Sequence, residues 1–341
     1  MDLIELKRTN IFFHAPKELT TDAFLVWLLY FLDSEETYKT NKQIFFDNIL
    51  LKKEDCGRKV GGIEVRRQEN NVDVLLTFRF EDKAEQQMVL FENKTWSMPH
   101  SGQLARYRKN YPDCYRYCYY KLAYINSQEG KEVSNERYEI INADMMSSTL
   151  EKMICLHPLI KMYYEYIVVT FKQEINSLHE RIFQKNDYDV LWNPDAQKYL
   201  CDAIVENMAE QGVPYLEIRN GTSFGRPWTQ IDIARKEDGY CECLFWRVDI
   251  RSGKFYIRLN QYAEPSKEEI KYKMHRLEVL RKEADGLVAC MPELHPGKVE
   301  NRAIKECEVL IFFLEENNLN DLMEMLPKIS SHMIDVFKNL N

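Results

Sequence analysis

Three charged residues stand near the ends of two neighbouring segments whose patterns are typical of β-strands. Residues i and i+2 of a strand project from the same face, so Glu92 and Lys94 should lie together while Asn93 points away. If the two segments pair in register as a hairpin, Asp73 of the preceding segment approaches Glu92. Two adjacent carboxylates repel each other unless a cation lies between them or one of them takes up a proton. Oxygen donors of this kind suit Mg²⁺ or Mn²⁺, and a neighbouring ammonium can orient a water or stabilise charge on a phosphate. The set therefore predicts metal-assisted phosphodiester hydrolysis.

A second pair of polar residues follows in the segment Ser101–Tyr111, which is predicted as a short helix capped by Ser101. Gln103 and Tyr107 are four residues apart, so they share one face of that helix. His100 lies just before it and is either a phosphate contact or a residue that hydrogen-bonds locally. The sequence alone leaves open whether Gln103 and Tyr107 face a site or are a solvated amide and a half-buried ring.

A basic strip interrupts an otherwise acidic chain. The formal net charge is −8, which argues against a generally basic surface for nucleic acid. Between His100 and Lys121, however, the single Asp113 stands against Arg106, Arg108, Lys109, Arg116 and Lys121. We expect this strip to bind a polyanion, with His100, Arg106 and Lys109 as nucleic-acid contacts. The alternative is that these are solvated helix charges.

The first half of the chain supplies the elements that must position these residues. Thr20 or Thr21 can cap a largely buried helix over Ala23–Leu32, and Glu18 lies just before that cap. Alternating patterns and turn residues predict three strands, then the helix that holds Gln103, then further strands. The predicted strands are Gly62–Arg67, Asn71–Phe80, Gln87–Lys94, Tyr115–Ile125 and Tyr138–Asn142.

The second half predicts a helical stretch followed by a second sheet. Helical periodicity runs over 147–211 with a break at Asp187–Pro194. The predicted strands, arranged as an antiparallel meander, are Pro214–Asn220, Trp228–Arg235, Cys241–Ile250 and Lys254–Gln261. The predicted closing helices are Pro265–Ala284, Lys298–Glu315 and Leu319–Leu340. The fold class is therefore α/β with two lobes: a domain over 1–145, then over 146–341 a helical connection and an α+β lobe of unknown role.

Two further features of the second half are interpreted as structural. The segment 220–226 (NGTSFGR) indicates a mobile loop. Asp232, Glu242 and Asp249 lie in predicted strands, but no companion of the Glu-x-Lys type accompanies them, so structural roles are favoured.

The first half resembles the PD-(D/E)XK nuclease superfamily. Asp73, a gap of eighteen residues and then Glu92-Asn93-Lys94 is similar to its D…(D/E)xK signature. Gln103 and Tyr107 match the QxxxY motif of RecB-type nucleases, and the run ELTTDAFLVWLL is similar to the N-terminal helix of a bacterial subgroup. The resemblance covers roughly residues 10–145. One departure is Val72, where the usual pattern has Pro.

The resemblance implies a restriction-endonuclease-like core of helix, three-stranded meander, helix and strand. It implies a Mg²⁺- or Mn²⁺-dependent nuclease in which Asp73 and Glu92 bind the metal and Glu18 supports them. Lys94 would orient the attacking water, and Gln103 and Tyr107 would brace Lys94 and the phosphate. DNA is favoured over RNA as the nucleic-acid partner, and a bacterial defence or mobile-element role is consistent with it.

Two alternatives stay open. The chain could be a non-catalytic nucleic-acid- or protein-binding module that keeps the nuclease fold, or a regulatory protein whose function lies in the second lobe. In the simplest reading of the motif, Asp73 is a solvated residue beside a turn, and Glu92 and Lys94 form only an exposed ion pair. A second copy of the chain or a regulatory protein are further partners that the sequence leaves open.

Composition predicts a cytoplasmic protein. No apolar run approaches the ~20 residues of a membrane span, and the first residues lack the pattern of a signal peptide. The nine cysteines are scattered, which favours reduced thiols that mostly fill the core. Cys114 with Cys118 and Cys241 with Cys243 do not form CxxC pairs, so zinc is disfavoured.

Overall fold

The chain forms two compact units in a computed structural model. The first is Met1–Asn176 and the second is Ser177–Asn341. The structure describes residues 3–14, 17–100, 102–236, 242–251, 253–263, 269–298 and 306–340. Ser101, the predicted cap, and Cys241 lie outside the described residues.

A five-stranded mixed sheet is the centre of the first unit. Its strands, in spatial order, are β1 (Val60–Glu69), β2 (Val72–Phe80), β3 (Gln86–Lys94), β4 (Arg116–Lys121) and β5 (Glu139–Asn142). The first three form an antiparallel meander, whereas β4 runs parallel to β3 and β5 runs parallel to β4. Each parallel pairing needs a crossover, and short helices between the strands provide it. All five strands agree with the predicted segments, with shifts at their ends.

Helices cover both faces of this sheet. They are α1 (Leu3–Thr9), α2 (Lys17–Asp33), α3 (Lys39–Phe45), α4 (Gln103–Asn110), α5 (Ser127–Asn135), α6 (Ala143–Glu151) and α7 (Pro158–Ile167), and α8 (Gln173–His179) follows. On one face, Phe91 of β3 packs into a core with residues of α2 such as Leu28. On the other face, Leu90 packs with Leu104 and Tyr107 of α4. Alternation along β3 therefore sends successive side chains into different cores.

Three predictions for the first unit need correction. Helix α2 begins at Lys17, so Thr20 and Thr21 lie inside the helix and do not cap it. Helix α5 was missed because it is short and polar, although Asn126 caps it by accepting a hydrogen bond from the Glu129 amide. The first unit also continues past residue 145, because apolar residues of α6 and α7, such as Ile160, are buried in its core.

The second unit contains a six-stranded antiparallel sheet. Its strands are β6 (Glu217–Ser223), β7 (Arg226–Lys236), β8 (Glu242–Arg251), β9 (Lys254–Ala263), β10 (Leu294–Pro296) and β11 (Glu306–Phe313). The spatial order is β10-β11-β9-β8-β7-β6, so the predicted meander over β6 to β9 is confirmed. Helices α9 (Pro194–Glu210), α10 (Glu269–Cys290) and α11 (Leu319–Asn339) contribute to its core.

One predicted helix of the second unit is wrong. The segment Lys298–Glu315 contains strand β11, which pairs with β9 and β10. Its apolar run buries Val309, Leu310 and Phe312, as expected for a central strand. The charged residues that flank this run favour a helix locally, but pairing between the two neighbouring strands overrides that preference.

The described cysteines are all free thiols. The expectation that they fill the core holds for Cys118, Cys201, Cys243 and Cys307, which are buried, but Cys56, Cys155 and Cys290 are exposed. Within the parts of the chain that the structure describes, no helix combines the length and the apolar character needed to cross a membrane.

Candidate functional site

Asp73, Glu92 and Lys94 come together at one end of the first sheet. The register pairs Val74 with Phe91, which places Asp73 opposite Glu92 on the neighbouring strand. The Asn93 amide donates a hydrogen bond of 2.7 Å to Asp73 Oδ2, and Lys94 Nζ lies 2.5 Å from Glu92 Oε1. The i, i+2 spacing on β3 thus puts a carboxylate and an ammonium side by side, with a second carboxylate across the hairpin.

Burial dominates the electrostatics of this cluster. The Glu92 side chain is 0 % exposed, and burial together with the nearby Asp73 charge raises its pKa to about 7. Burial likewise raises the pKa of Asp73, against the hydrogen bond from the Asn93 amide. Burial alone would lower the pKa of Lys94, but the neighbouring carboxylates, Glu92 first, outweigh it and raise that pKa. Repulsion between the two carboxylates is therefore relieved by the ammonium and by proton uptake near neutral pH.

Asp73 and Glu92 offer oxygen donors of the type that hard divalent cations prefer. Glu92 Oε2 is buried and has no hydrogen-bond partner within the part of the chain that the structure describes, so this oxygen can accept a further ligand. Mg²⁺ is commonly held by one or two carboxylates and completes its shell with water and phosphate oxygens. Among the described residues, no three His, Cys, Asp or Glu side chains form a group that could hold a metal ion, so Glu18 does not complete such a trio.

Helix α4 braces the cluster from the side. Gln103 Nε2 donates to Glu92 Oε1 at 2.7 Å and lies 3.0 Å from Tyr107 Oη. The Tyr107 hydroxyl in turn donates to the Asn71 carbonyl, just before β2. Both side chains are buried, so the predicted shared face does turn towards the sheet. The contact differs from the expectation, because Gln103 hydrogen-bonds to Glu92, which is the partner of Lys94.

Helix α2 brings two more carboxylates to the site. Glu18 accepts a hydrogen bond of 2.7 Å from Ser97 Oγ and is close enough to influence Asp73 and Glu92 electrostatically. Asp22, which was not predicted as a site residue, accepts a hydrogen bond from the buried side-chain amide of Asn93. Burial, with the nearby Asp73 charge, raises the pKa of Asp22 to about 6. The spacing of four residues between Glu18 and Asp22 was the available signal, because it puts both on one face of a helix.

The predicted basic strip is wrong as a continuous surface. Arg116 is buried and donates to the Ile49 and Leu51 carbonyls and to Glu139. Lys121 is 0 % exposed and lies 2.9 Å from Glu129, which is equally buried. These residues belong to β4, which lies inside the sheet between β3 and β5, so their charges are paired in the protein interior.

The exposed part of the strip is confined to α4 and the residues before it. Arg106, Lys109 and His100 are exposed, as a contact with a phosphate backbone requires. Arg108 is half-buried, donates to the Glu136 carbonyl at 3.0 Å and lies over the Tyr117 ring. The three nucleic-acid contacts that were predicted individually are thus the solvent-facing members.

A buried network that the sequence reasoning did not find supports the end of β4. Lys121 Nζ donates a hydrogen bond of 2.6 Å to the Ser97 carbonyl, in the loop after β3. The hydroxyl group of the same Ser97 donates to Glu18. Tyr119 donates to Glu129 at 2.6 Å from the next strand position on the same face. The register pairs Lys121 with Lys94, so this network lies next to the cluster and fixes the loop after β3.

The acidic residues singled out in the second unit have structural partners. Asp232 accepts hydrogen bonds from Arg219 and Gln230, and Glu242 accepts hydrogen bonds from Gln261 and Arg276. Their interpretation as structural residues therefore agrees with their contacts.

Comparison with known proteins identifies no relative of this chain. No protein-family model, no curated protein and no solved structure matches the chain.

Proposed function

We propose that the first unit is a metal-dependent nuclease of the PD-(D/E)XK type that hydrolyses phosphodiester bonds, with DNA favoured over RNA. One observation carries the proposal: the half-buried Asp73 meets the buried Glu92 and Lys94 in one cluster, in which Glu92 Oε2 has no hydrogen-bond partner among the described residues. The buried Lys121–Glu129 pair supports β4, and what sets the present cluster apart from such a merely structural ion pair is Asp73, which lies opposite Glu92 on the neighbouring strand.

The order of elements supports the same proposal. Helix α2 is followed, after the intervening helix α3, by the antiparallel strands β1 to β3, helix α4 and the parallel strand β4. That is the order implied by the resemblance to a restriction-endonuclease-like core. Because fold order alone does not determine activity, it supports the proposal only together with the side chains of the site.

Asp73 and Glu92 would hold Mg²⁺ or Mn²⁺, with Glu18 as a supporting carboxylate that acts through its nearby charge and not as a third ligand. The bound cation supplies charge neutralisation at the phosphate and makes a bound water a stronger nucleophile. Lys94 keeps its proton, since the adjacent carboxylates raise its pKa, and so remains a hydrogen-bond donor. Its role is to orient the attacking water and to stabilise the negative charge that develops on the phosphate.

The remaining residues hold this arrangement in place. Gln103 fixes the orientation of the Glu92 carboxylate, and Tyr107 ties Gln103 to the backbone before β2. The backbone N–H of Asn93 donates to Asp73 and fixes it, while the side-chain amide of Asn93 donates to Asp22. The carboxylates of Asp73 and Glu92 are therefore each held by a hydrogen bond from a neighbouring amide, which favours the pre-organisation that catalysis requires.

The test is cleavage of linear and circular DNA, single- and double-stranded, and of RNA, with Mg²⁺, Mn²⁺ or EDTA. Wild-type protein should cut at least one substrate with metal and none with EDTA, and Lys94→Ala should reduce the rate by at least ~100-fold. Lys131→Ala, which removes an exposed lysine from α5, is the matched control and should cut normally. Cutting that survives in Lys94→Ala would remove this lysine from the mechanism. No cutting by wild type in either metal would favour the non-catalytic binding module.

A further inference from the structure

A groove on the second sheet combines aromatic rings with guanidinium groups. Its volume is about 610 Å³, within the range of roughly 300–1,000 Å³ typical of small-molecule sites. Its lining includes Phe224, Arg226, Trp228, Arg247, Arg258 and Glu306. Nothing in the proposed nuclease chemistry uses these residues, since all of them belong to the second unit.

Phe224 has no role in the fold that explains its position. The segment predicted as a mobile loop is a tight hairpin, in which Phe224 and Gly225 join β6 to β7. Both have positive φ, 50° and 76°, a conformation that favours Asn, Asp or Gly. The Phe224 side chain is also fully exposed, at 102 %. A bulky ring in a strained turn, exposed to water, indicates a function outside the fold.

Trp228 lines the same groove as Phe224, and its ring is held in place by its neighbours. A Cβ atom added at Gly221 would lie 2.6 Å from Trp228 Cζ2, so only glycine lets the indole ring lie across β6 at this point. The Arg247 guanidinium lies over the same ring, 4.8 Å from its centroid. Between these two neighbours the indole has a defined orientation without any ligand present.

The floor of the groove offers donors and acceptors together. Arg247 contacts Glu306 and Gln230 at 2.8 Å, and Arg258 contacts Asp249 at 2.6 Å. Among the described residues, nevertheless, the buried Nε–H groups of Arg247 and Arg258 have no hydrogen-bond partner. A ligand edge that carries both donors and acceptors could bind here, whereas a simple anion would meet two carboxylates.

The mouth of the groove is positive. Arg226 is exposed and uses one nitrogen on the Ile250 carbonyl at 3.3 Å, which leaves further N–H groups of its guanidinium for an anion. The three lining arginines stand against two lining carboxylates, Asp249 and Glu306. An exposed ring, a mixed polar floor and a cationic mouth are complementary to a nucleobase attached to a phosphate.

We infer that this groove binds an unpaired nucleotide, with the base stacked on Phe224 against the Trp228 ring and the phosphate at Arg226. The ligand is either a free nucleotide or a nucleotide within a single strand, since both present the same base and phosphate. The site lies in the second unit and requires no bond to be cleaved, so its test is separate from that of the nuclease proposal.

The test measures binding by the full-length protein in EDTA, which prevents metal-dependent cleavage. Fluorescence anisotropy follows a labelled oligothymidylate, and calorimetry follows thymidine monophosphate and adenosine monophosphate. Phe224→Asn is the informative variant, because asparagine suits the turn and should preserve or raise thermal stability. It should lose about five-fold to 100-fold in affinity. Phe224→Tyr, which keeps a ring, should bind as wild type does, and so should Leu216→Asn, which removes an exposed apolar side chain outside the groove.

Two arms distinguish the source of the ligand. Phe224-dependent binding of a mononucleotide as tight as that of the oligomer assigns a free nucleotide. Phe224-dependent binding of the oligomer alone assigns a single strand. Failure of wild type to bind any of these probes, or equal affinity of wild type and a folded Phe224→Asn variant, would overturn the inference. Loss of DNA cleavage in Lys94→Ala with unchanged binding in EDTA would show that the two sites act separately.

Discussion

The replacement Glu92→Gln tests whether the candidate site carries the electrostatic strain that its geometry implies. The pKa of Glu92 rises from 4.5 to about 7, first because the side chain is buried and next because Asp73 lies close to it. Between these two values the unfolded chain has lost the Glu92 proton while the folded chain keeps it. The contribution of Glu92 to the free energy of unfolding is therefore fully present below about pH 4.5. It is lost as the pH rises through about 7.

The magnitude follows from the two pKa values. A rise from 4.5 to about 7 corresponds to about 3 kcal/mol, most of which is lost between about pH 5 and about pH 8. Glu92→Gln removes this titration but also leaves Lys94 without its carboxylate partner, so the variant can be less stable at every pH. What the account predicts is the trend: the stability of the variant relative to wild type should rise by ~2–3 kcal/mol across that interval.

Urea denaturation in EDTA measures this trend. The unfolding transition of the first unit is recorded separately from that of the second unit. Asp73 and Asp22 also have raised pKa values, so the slope of wild type alone is a sum, whereas the difference reports Glu92 together with its coupling to Asp73 and Lys94. Glu64→Gln, at an exposed strand position, controls for the loss of one surface charge. A difference between Glu92→Gln and wild type that stays constant with pH would refute the reasoning.

Three further predictions follow from contacts of the first unit. Gln103→Leu leaves the Glu92 oxygen without its amide donor and should cost about 1–3 kcal/mol in thermal or urea denaturation, and should lower the cleavage rate more than it weakens DNA binding. Lys121→Met leaves the buried Glu129 carboxylate without its cationic partner and should lower the free energy of unfolding by about 3–5 kcal/mol in urea denaturation. The double variant Lys121→Met/Glu129→Gln should recover a large part of this loss. Equal stability of the single and double variants would contradict the pairing. Arg106→Ala removes an exposed charge from α4 and should weaken DNA binding in EDTA without sequence preference, with the slope of log affinity against log salt smaller by about one; an unchanged slope would exclude a phosphate contact.

Local patterns were sufficient for the strands of the first sheet. Alternation and turn residues located β2 and β3, and the two-residue period then fixed which side chains share a face. The same rule placed Glu92 beside Lys94 and turned Asn93 to the other side, where it meets Asp22. The four-residue period of a helix placed Gln103 beside Tyr107. These predictions succeeded because each depends on the spacing within one element.

What failed depended on contacts that are distant in sequence. Arg116 and Lys121 have the composition of a basic surface, but β4 lies between β3 and β5, so both side chains are buried. Asp22 was missed because the start of α2 was placed too late, which hid its spacing from Glu18. Strand β11 was predicted as a helix because its pairing with β9 joins residues about 50 positions apart, which no local pattern records.

The most direct test of the central claim is a calorimetric titration of Mn²⁺ into wild-type protein and Asp73→Asn near pH 7. The account predicts one site in wild type, loss or strong weakening of that site in Asp73→Asn, and net release of protons, because Glu92 must ionise to act as a ligand. Proton release is read from the dependence of the heat on the ionisation enthalpy of the buffer. Binding that is equal in wild type and in a folded Asp73→Asn variant, or no binding by wild type, would contradict a metal site formed by Asp73 and Glu92.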